Sequence, residues 1–294
     1  MSATAHYRVE HVTRYRYAAE VSQSQQLLHL CPRATDYQQV SDYHLDCDPL
    51  PHELSQRLDF FGNPQHHLTL LRPHEGLQLS SRFTVAVQPR PALPPLASTL
   101  PWEQVQARLL QGPPALLEAM PFVTVTPRVH AGAALTDLAR SCFTPQRPLL
   151  EAALALTHTI YQTFEFDAQA TEVSTPLEAV LAGRRGVCQD FAHVMIGALR
   201  ALGLAARYVS GYLLTHPPAG HPRLVGADAS HAWVSVYCPE AGWVDFDPTN
   251  NCLVQQDHIT LAWGRDFGDV SPVRGVVLGG GQQQLAVHVT VTPL

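Results

Sequence analysis

The sequence predicts an α+β protein in which an N-terminal β-sandwich-like domain precedes a domain of helices packed on an antiparallel sheet. Three observations carry this expectation. Apolar and polar residues alternate in short runs from Tyr7 to Val87, a proline-rich break follows from Gln88 to Pro101, and helical spacing begins at Trp102. With 294 residues, 46% of them hydrophobic and 15% charged, the chain can bury one large or two medium cores.

In the first region the runs Tyr7-Val9-His11 and Phe83-Val85-Val87 are separated by turn signals such as Phe61-Gly62-Asn63-Pro64 and Pro73-His74-Glu75-Gly76. Residues 1–88 are therefore assigned to a β-rich domain. Prolines at 89, 91, 94, 95 and 101 cannot donate to a ladder and stiffen the chain, so 89–101 is read as a linker and 102–294 as the second domain. Leu150, Ala153, Leu154 and Ile160 fall near one face of a helix over Leu149 to Tyr161. Thr175-Pro176-Leu177-Glu178 offers a capping hydroxyl, a proline at the first helical position and a glutamate three residues on, for a short helix to Ala182. After Gly183 to Gly186, a second helix is expected from Cys188 to Leu202, with Phe191, Met195, Ala198 and Leu202 inward and Gly203 as its stop. Strand patterns follow at Ala206 to Leu214, His231 to Tyr237 and Trp243 to Phe246, the last two joined as a hairpin through Pro239-Glu240-Ala241-Gly242. Gly279-Gly280-Gly281 reads as a turn before the alternating strand Leu285-Val287-Val289-Val291, because a phosphate loop would need a helix after it.

Composition excludes several function classes. A net charge of −6, from 19 Lys+Arg against 25 Asp+Glu, with no basic cluster longer than Arg184-Arg185, argues against nucleic-acid binding. No apolar run approaches the roughly 20 residues of a membrane helix, and Met1 to Glu10 lacks a signal-peptide profile; a cytoplasmic protein without membrane association is expected. Cys31, Cys47, Cys142, Cys188, Cys238 and Cys252 contain no C-x-x-C pair, so neither a zinc ribbon nor a disulfide framework is written in them. Among the 16 histidines, His66 and His67 point to opposite faces of a strand, while His216 and His221 lie in a Pro/Gly-rich loop with no carboxylate at ligand spacing. No metal and no other cofactor is expected.

A helix N-terminus presents unpaired N–H groups that favour a thiolate, which gives Cys188 the address of a nucleophile. Downstream, Ser230-His231-Ala232-Trp233 opens one strand and Trp243-Val244-Asp245-Phe246-Asp247-Pro248-Thr249 forms its hairpin mate. His231 and Asp247 can meet across the pair, giving the nucleophile, base and orienter of a triad. Asp245 shares the strand face of Asp247, and period-2 geometry does not separate them, although Pro248 ends the strand beside Asp247.

These stretches resemble the transglutaminase-like core of the papain-like cysteine enzymes. The resemblance rests on Gly186-Val187-Cys188-Gln189-Asp190-Phe191-Ala192-His193, Ala206 to Tyr212, Ala229 to Trp233, and Gly242 to Asn250. His258-Ile259 and the run Gly264 to Gly275 are similar to the bacterial branch of that superfamily, and His11 to Tyr17 with Asp59-Phe60-Phe61-Gly62-Asn63 match the opening of its β-rich N-terminal domain. The resemblance implies Cys188 as nucleophile, His231 as general base and acid, and Asp247 as orienter of the imidazole. The N–H of Cys188 would be one oxyanion donor, with Tyr161 and Gln189 candidates for the second. The calcium of animal transglutaminases has no acidic ligand loop here.

The expected chemistry is acyl transfer from an amide of a peptide or protein through a Cys188 thioester. Water would make the protein a peptidase or amidase, a lysine amine a cross-linking transglutaminase, and an arylamine acetyltransferase is a remoter relative. A non-catalytic interaction module on the same fold is the rival from another class, opposed by the intact Cys, His and Asp. The loop from Thr215 to Ala229, open and polar in composition, favours water. Asp190 and His193 are candidate substrate contacts with structural alternatives, Trp233 and Trp243 could shape an acyl pocket or simply be core, and Arg207 and Tyr208 read as structural.

Overall fold

The structure is a computed structural model and describes residues 3–112, 116–215 and 229–294. Five strands come first: β1 (Ala5–Leu28), β2 (Gln38–Asp48), β3 (Glu53–Leu58), β4 (Pro64–Leu70) and β5 (His74–Val87). The alternation seen in the sequence is that of a sheet with one buried face, as in Tyr7, Val9 and His11 of β1 against Phe83, Val85 and Val87 of β5. Then follow α1 (Trp102–Gln111), α2 (Ala133–Cys142), α3 (Leu149–Thr163), β6 (Glu165–Phe166), α4 (Leu177–Gly183), β7 (Arg185–Gly186) and α5 (Cys188–Ala201). A second antiparallel sheet is built from β8 (Ala206–Leu213), β9 (Ala229–Cys238), β10 (Gly242–Asp247), β11 (Cys252–Leu253) and β12 (His258–Gly264), in the order β11-β10-β9-β8-β12. The chain ends with α6 (Phe267–Val270), β13 (Val273–Gly279) and β14 (Gln283–Pro293).

The expected hairpin is β9 with β10, and the expected helix is α5. Its predicted stripe is buried, but so are Val194, Ile196 and Leu199, because α5 lies between the second sheet and the other helices. Ala232, Val234 and Val236 of β9 share its core, which leaves His231, Trp233 and Ser235 on the opposite face.

The first sheet has the order β2-β5-β1-β4-β3, and both C-terminal strands also pair with β1. The long β1 uses its first half for β5 and β14 and its second half for β4 and β13, so one bent sheet encloses Val21, Leu28, Leu68, Leu70, Leu77 and Leu79 in a sandwich-like manner. This corrects the second-domain boundary of 102–294: residues 273–293 return to the N-terminal sheet. Gly279, Gly280 and Gly281, all at positive φ, make the turn between these strands. A second correction concerns α4, whose N-cap is Pro176; the Thr175 hydroxyl instead accepts from the N–H of Glu172 at 2.9 Å. The proline-rich segment is extended apart from one turn at Leu96–Ser98, and Leu93, Leu96 and Leu100 pack on the main core.

The two sheets meet along β12, whose outer edge would otherwise expose unpaired backbone groups. Two side-chain amides substitute for a neighbouring strand. Gln38 donates to the carbonyl of Thr260 at 2.7 Å and accepts its N–H at 2.8 Å; Asn63 does the same for Trp263 at 2.8 and 3.0 Å. Asp59 holds Asn63 in place by accepting from its backbone N–H and its amide at 2.8 and 2.7 Å, which explains the Asp59 to Asn63 motif. Removing the amide by Asn63→Ala should destabilise the protein by about 2–4 kcal/mol in urea denaturation, since buried partners are left unmade. The exposed Leu110→Ala should change stability by no more than about 0.5 kcal/mol.

Candidate active site

Cys188 is the first residue of α5, and the turn before it is shaped by Asp190. The Asp190 carboxylate folds back to accept from the N–H of Val187 at 2.9 Å and from the Thr171 hydroxyl at 2.6 Å. It occupies the space a side chain at 186 would need: a Cβ there would lie 2.5 Å from Asp190 Oδ2, so Gly186 has to be glycine. Asp190 is thereby a cap that sets the entry angle of α5, and these bonds engage it in structure. His193, one turn further along, accepts from the N–H of Phe267 at 3.2 Å and packs against Tyr208. Burial pulls its pKa down to about 4 against the opposing charge of Asp266, so it is neutral at pH 7. The polar-packing reading of His193 fits this arrangement.

His231 and Asp247 meet as the hairpin argument expects, with Nε2 donating to Oδ2 at 2.7 Å. The Cys188 thiol lies beside the imidazole and, with Asp247, favours its protonated form. Asp247 is fully buried and receives five donors: His231, His258 Nε2 at 3.0 Å and Asn250 Nδ2 at 2.7 Å on Oδ2, and the N–H groups of Thr249 and Asn250 at 2.9 and 3.1 Å on Oδ1. Burial alone would raise this carboxyl, but the hydrogen bonds from His231 and His258 hold it far below the usual carboxylate range. Burial likewise pulls His231 down, yet Asp247 and Cys188 carry it up to about 10.

Asp245, the alternative carboxylate, points elsewhere. It accepts from Trp233 Nε1 at 3.4 Å and faces Arg90 of the proline-rich segment at 3.4 Å. Thus the structure brings Cys188, His231 and Asp247 together and leaves Asp245 out. His258 is the member that reading the residues missed. Its neighbourhood depends on Gly211, where a Cβ would come 2.2 Å from the carbonyl of Ile259 and 2.4 Å from the Trp233 ring; that empty space lets Trp233 lie across β8 and meet His258 edge-on at 5.3 Å.

The remaining candidates have packing partners. Trp233 is fully buried, and Trp243 is covered by the Arg207 guanidinium and met edge-on by Phe122. Arg207 lies between the rings of Trp243 and Trp263, with burial lowering its pKa to about 10. Tyr161 is exposed on α3, and Gln189 lines a separate small cavity of about 170 Å³ with Arg128, His130 and Ser174. His66 stacks on Tyr43 while His67 bonds to Gln65. His216, His221 and most of the loop from Thr215 to Ala229 lie outside the described residues.

Among the described residues, one group of histidine, cysteine and carboxylate side chains is close enough to share an ion: His231, Asp247 and His258. Two ligand atoms on a tetrahedral zinc, each about 2.0–2.1 Å from it, stand about 3.3 Å apart. The separations of 2.7 and 3.0 Å to the carboxylate are those of shared protons.

Two predictions follow from this chemistry. Burial pushes the thiols of Cys31, Cys47, Cys238 and Cys252 up to about 11, and Cys142 is buried, whereas Cys188 is half-exposed beside an imidazole. Iodoacetamide near neutral pH should alkylate Cys188 first, as read by peptide mass spectrometry; equal labelling of Cys252 would contradict it. His231 lies above its ordinary 6.5, so the stability it draws from Asp247 is complete below that pH and is lost as pH rises through about 10. Between pH 7 and 10.5 the urea midpoint of the wild type should fall more steeply than that of Asp247→Asn.

Comparison with known proteins agrees with this architecture. Residues 7–86 match the model of the bacterial transglutaminase-like N-terminal region, and residues 136–248 match that of the transglutaminase-like superfamily. The chain is 38% identical to an uncharacterized protein of Mycobacterium tuberculosis over 100% of this chain and 94% of the relative. It is 30% identical to one of Mycobacterium leprae over 98% of both. A stretch of 67 residues, 22% of this chain and 10% of the relative, is 45% identical to a protein-glutamine gamma-glutamyltransferase of Pseudomonas aeruginosa. A candidate cysteine protease from Cytophaga hutchinsonii shares the fold, with a TM-score of 0.76 at 22% identity over 100% of this chain and 92% of its own. On the full-length relatives and the two matching models together, the chain belongs to the bacterial transglutaminase-like family.

Proposed function

We propose that this protein is a cysteine-dependent acyl-transfer enzyme that hydrolyses peptide, isopeptide or glutamine-type amides of a peptide or protein substrate. The carrying observation is the grouping of Cys188, His231 and Asp247, with the carboxylate 2.7 Å from one imidazole nitrogen and the thiol beside the ring, where it helps to raise the imidazole's pKa. Cys188 Sγ, as thiolate, attacks the amide carbonyl, and His231 gives its proton to the leaving amine, leaving a thioester. Asp247 keeps the ring oriented and favours its protonated form. Cys188 N–H, in the first turn of α5 and without a partner inside the helix, is directed at the developing oxyanion. His231 then takes a proton from water as it attacks the thioester; acid and free enzyme result.

What supports water over an amine is the position of the hairpin tryptophans. An amine competes with water at about 55 M only where water is excluded, and Trp233 and Trp243, the hairpin side chains that could wall such a channel, are engaged in packing against other side chains. The second reading, amine transfer to glutamine, is favoured by the 67-residue match to the Pseudomonas enzyme. A peptide amide supplied with millimolar primary amine separates the two. The chain contains no lysine, so any adduct derives from the added amine or the substrate rather than from this chain's side chains. Free acid should predominate; a majority of amine adduct would establish the transferase reading.

Cys188→Ala and His231→Ala should each lower kcat/KM at least about a thousandfold, since residues acting as a unit each cost nearly the whole effect. Asp247→Asn should cost less than Cys188→Ala, and Asp245→Asn less again. A larger loss from Asp245→Asn than from Asp247→Asn would show that the orienter is misassigned.

A further inference from the structure

We propose that His258 is a positioning residue for Asp247, and that the N-terminal domain acts on the reacting centre by fixing the segment that carries it; this rests on the roles given above to Cys188, His231 and Asp247. His258 begins β12, at the far edge of the sheet from β11, yet its ring reaches the carboxylate across β8, beside the Trp233 ring that fills the space Gly211 leaves open. Asp247, ionised and surrounded by donors, can only accept, so the proton of the 3.0 Å contact belongs to His258 Nε2. The other nitrogen, Nδ1, is buried with no hydrogen-bond partner among the described residues. An apolar side chain against Trp233 would avoid that unmet group, so stability alone does not account for a histidine here. What it adds is a second imidazole N–H on the oxygen that accepts from His231, joining β12 to the carboxylate.

Beside its pairing with β8, the segment flanking His258 is tied to the N-terminal domain at three residues. Gln256 donates to the carbonyls of Ala3 and Val87 at 2.8 and 3.0 Å, Asp257 accepts from the hydroxyl of Tyr7 at 3.3 Å, and Thr260 is held by Gln38 through both backbone groups. A shift of that domain would therefore move His258, and with it the carboxylate that aims His231.

The test uses the full chain as wild type, His258→Leu, His258→Gln and Gln256→Ala. kcat and KM are measured on a fluorogenic peptide amide, and the rate of Cys188 alkylation by iodoacetamide is followed. His258→Leu should lower kcat about 10- to 100-fold, as loss of an orienting partner does, with KM within about twofold. His258→Gln, which keeps an N–H near the place of Nε2, should restore most of it. Gln256→Ala, which touches neither imidazole nor carboxylate, should lower kcat several-fold at unchanged KM and keeps the question decidable should His258→Leu fail to fold. Glutamine as damaging as leucine, or Gln256→Ala without effect on kcat, would overturn the proposal. Fast, selective alkylation of Cys188 that is unaltered in His258→Leu would overturn it alone; slow, unselective alkylation in the wild type would overturn the nucleophile assignment with it.

Discussion

A carboxylate buried completely, as Asp247 is, costs several kcal/mol of lost hydration unless its oxygens are met by donors. Five donors meet it, and their sources set most of the local architecture. Two are backbone N–H groups of the turn after β10, which exists because Pro248 ends the strand. One is an amide on the same turn. The other two are imidazoles delivered by β9 and β12, which requires the sheet to carry both strands with a glycine between them. The ionised carboxylate in turn holds His231 protonated beside Cys188, so the electrostatics of the site start from this one buried charge.

The same charge explains why the N-terminal domain is joined so closely to the second sheet. Its contacts concentrate on β12 and its neighbour β8: paired amides from Gln38 and Asn63 on the edge, a cluster in which Tyr7, Val9, Phe83 and Val85 bury Ile259 and Leu261, and His11 bonded to Tyr212 of β8 at 2.8 Å. The C-terminal strands add a covalent return, since β13 and β14 extend the sheet the chain began with. A strand that carries one of the donors to a buried charge is thereby clamped on its outer edge and at both chain ends.

How much of this was legible in the sequence follows from the range of each interaction. The start of α5 was readable because its determinants, Gly186, Cys188 and Asp190, lie within five residues, and the hairpin that joins His231 to Asp247 is nearly as local. Asp245 and Asp247 were not separable by alternation, which puts both on one face; the turn N–H groups of Thr249 and Asn250 separate them, and no strand period encodes a turn. His258 was visible only as part of a family motif, because its contact spans three neighbouring strands and depends on what Gly211 lacks. The last strand was evident as a strand, but its partner β1 lies more than 250 residues away, so the pattern gave its existence and not its sheet. Thr175 had the right chemistry for a cap one position too early.

Two buried histidines, His193 on the helix that begins at Cys188 and His231 beside its thiol, show what burial does and does not decide. His193 and His231 are 5% and 7% exposed, and burial presses both toward the neutral form. His193 faces Asp266 but also the cations Arg128 and Arg200, and it settles at about 4 as a neutral acceptor for a backbone N–H. His231 faces a carboxylate with no competing cation in its first contacts and rises to about 10. The opposite shifts of two similarly buried imidazoles on adjacent elements come from their partners. An acid and base that must work beside a thiol therefore needs the whole apparatus around Asp247, since withdrawal from water would by itself have made His231 another His193.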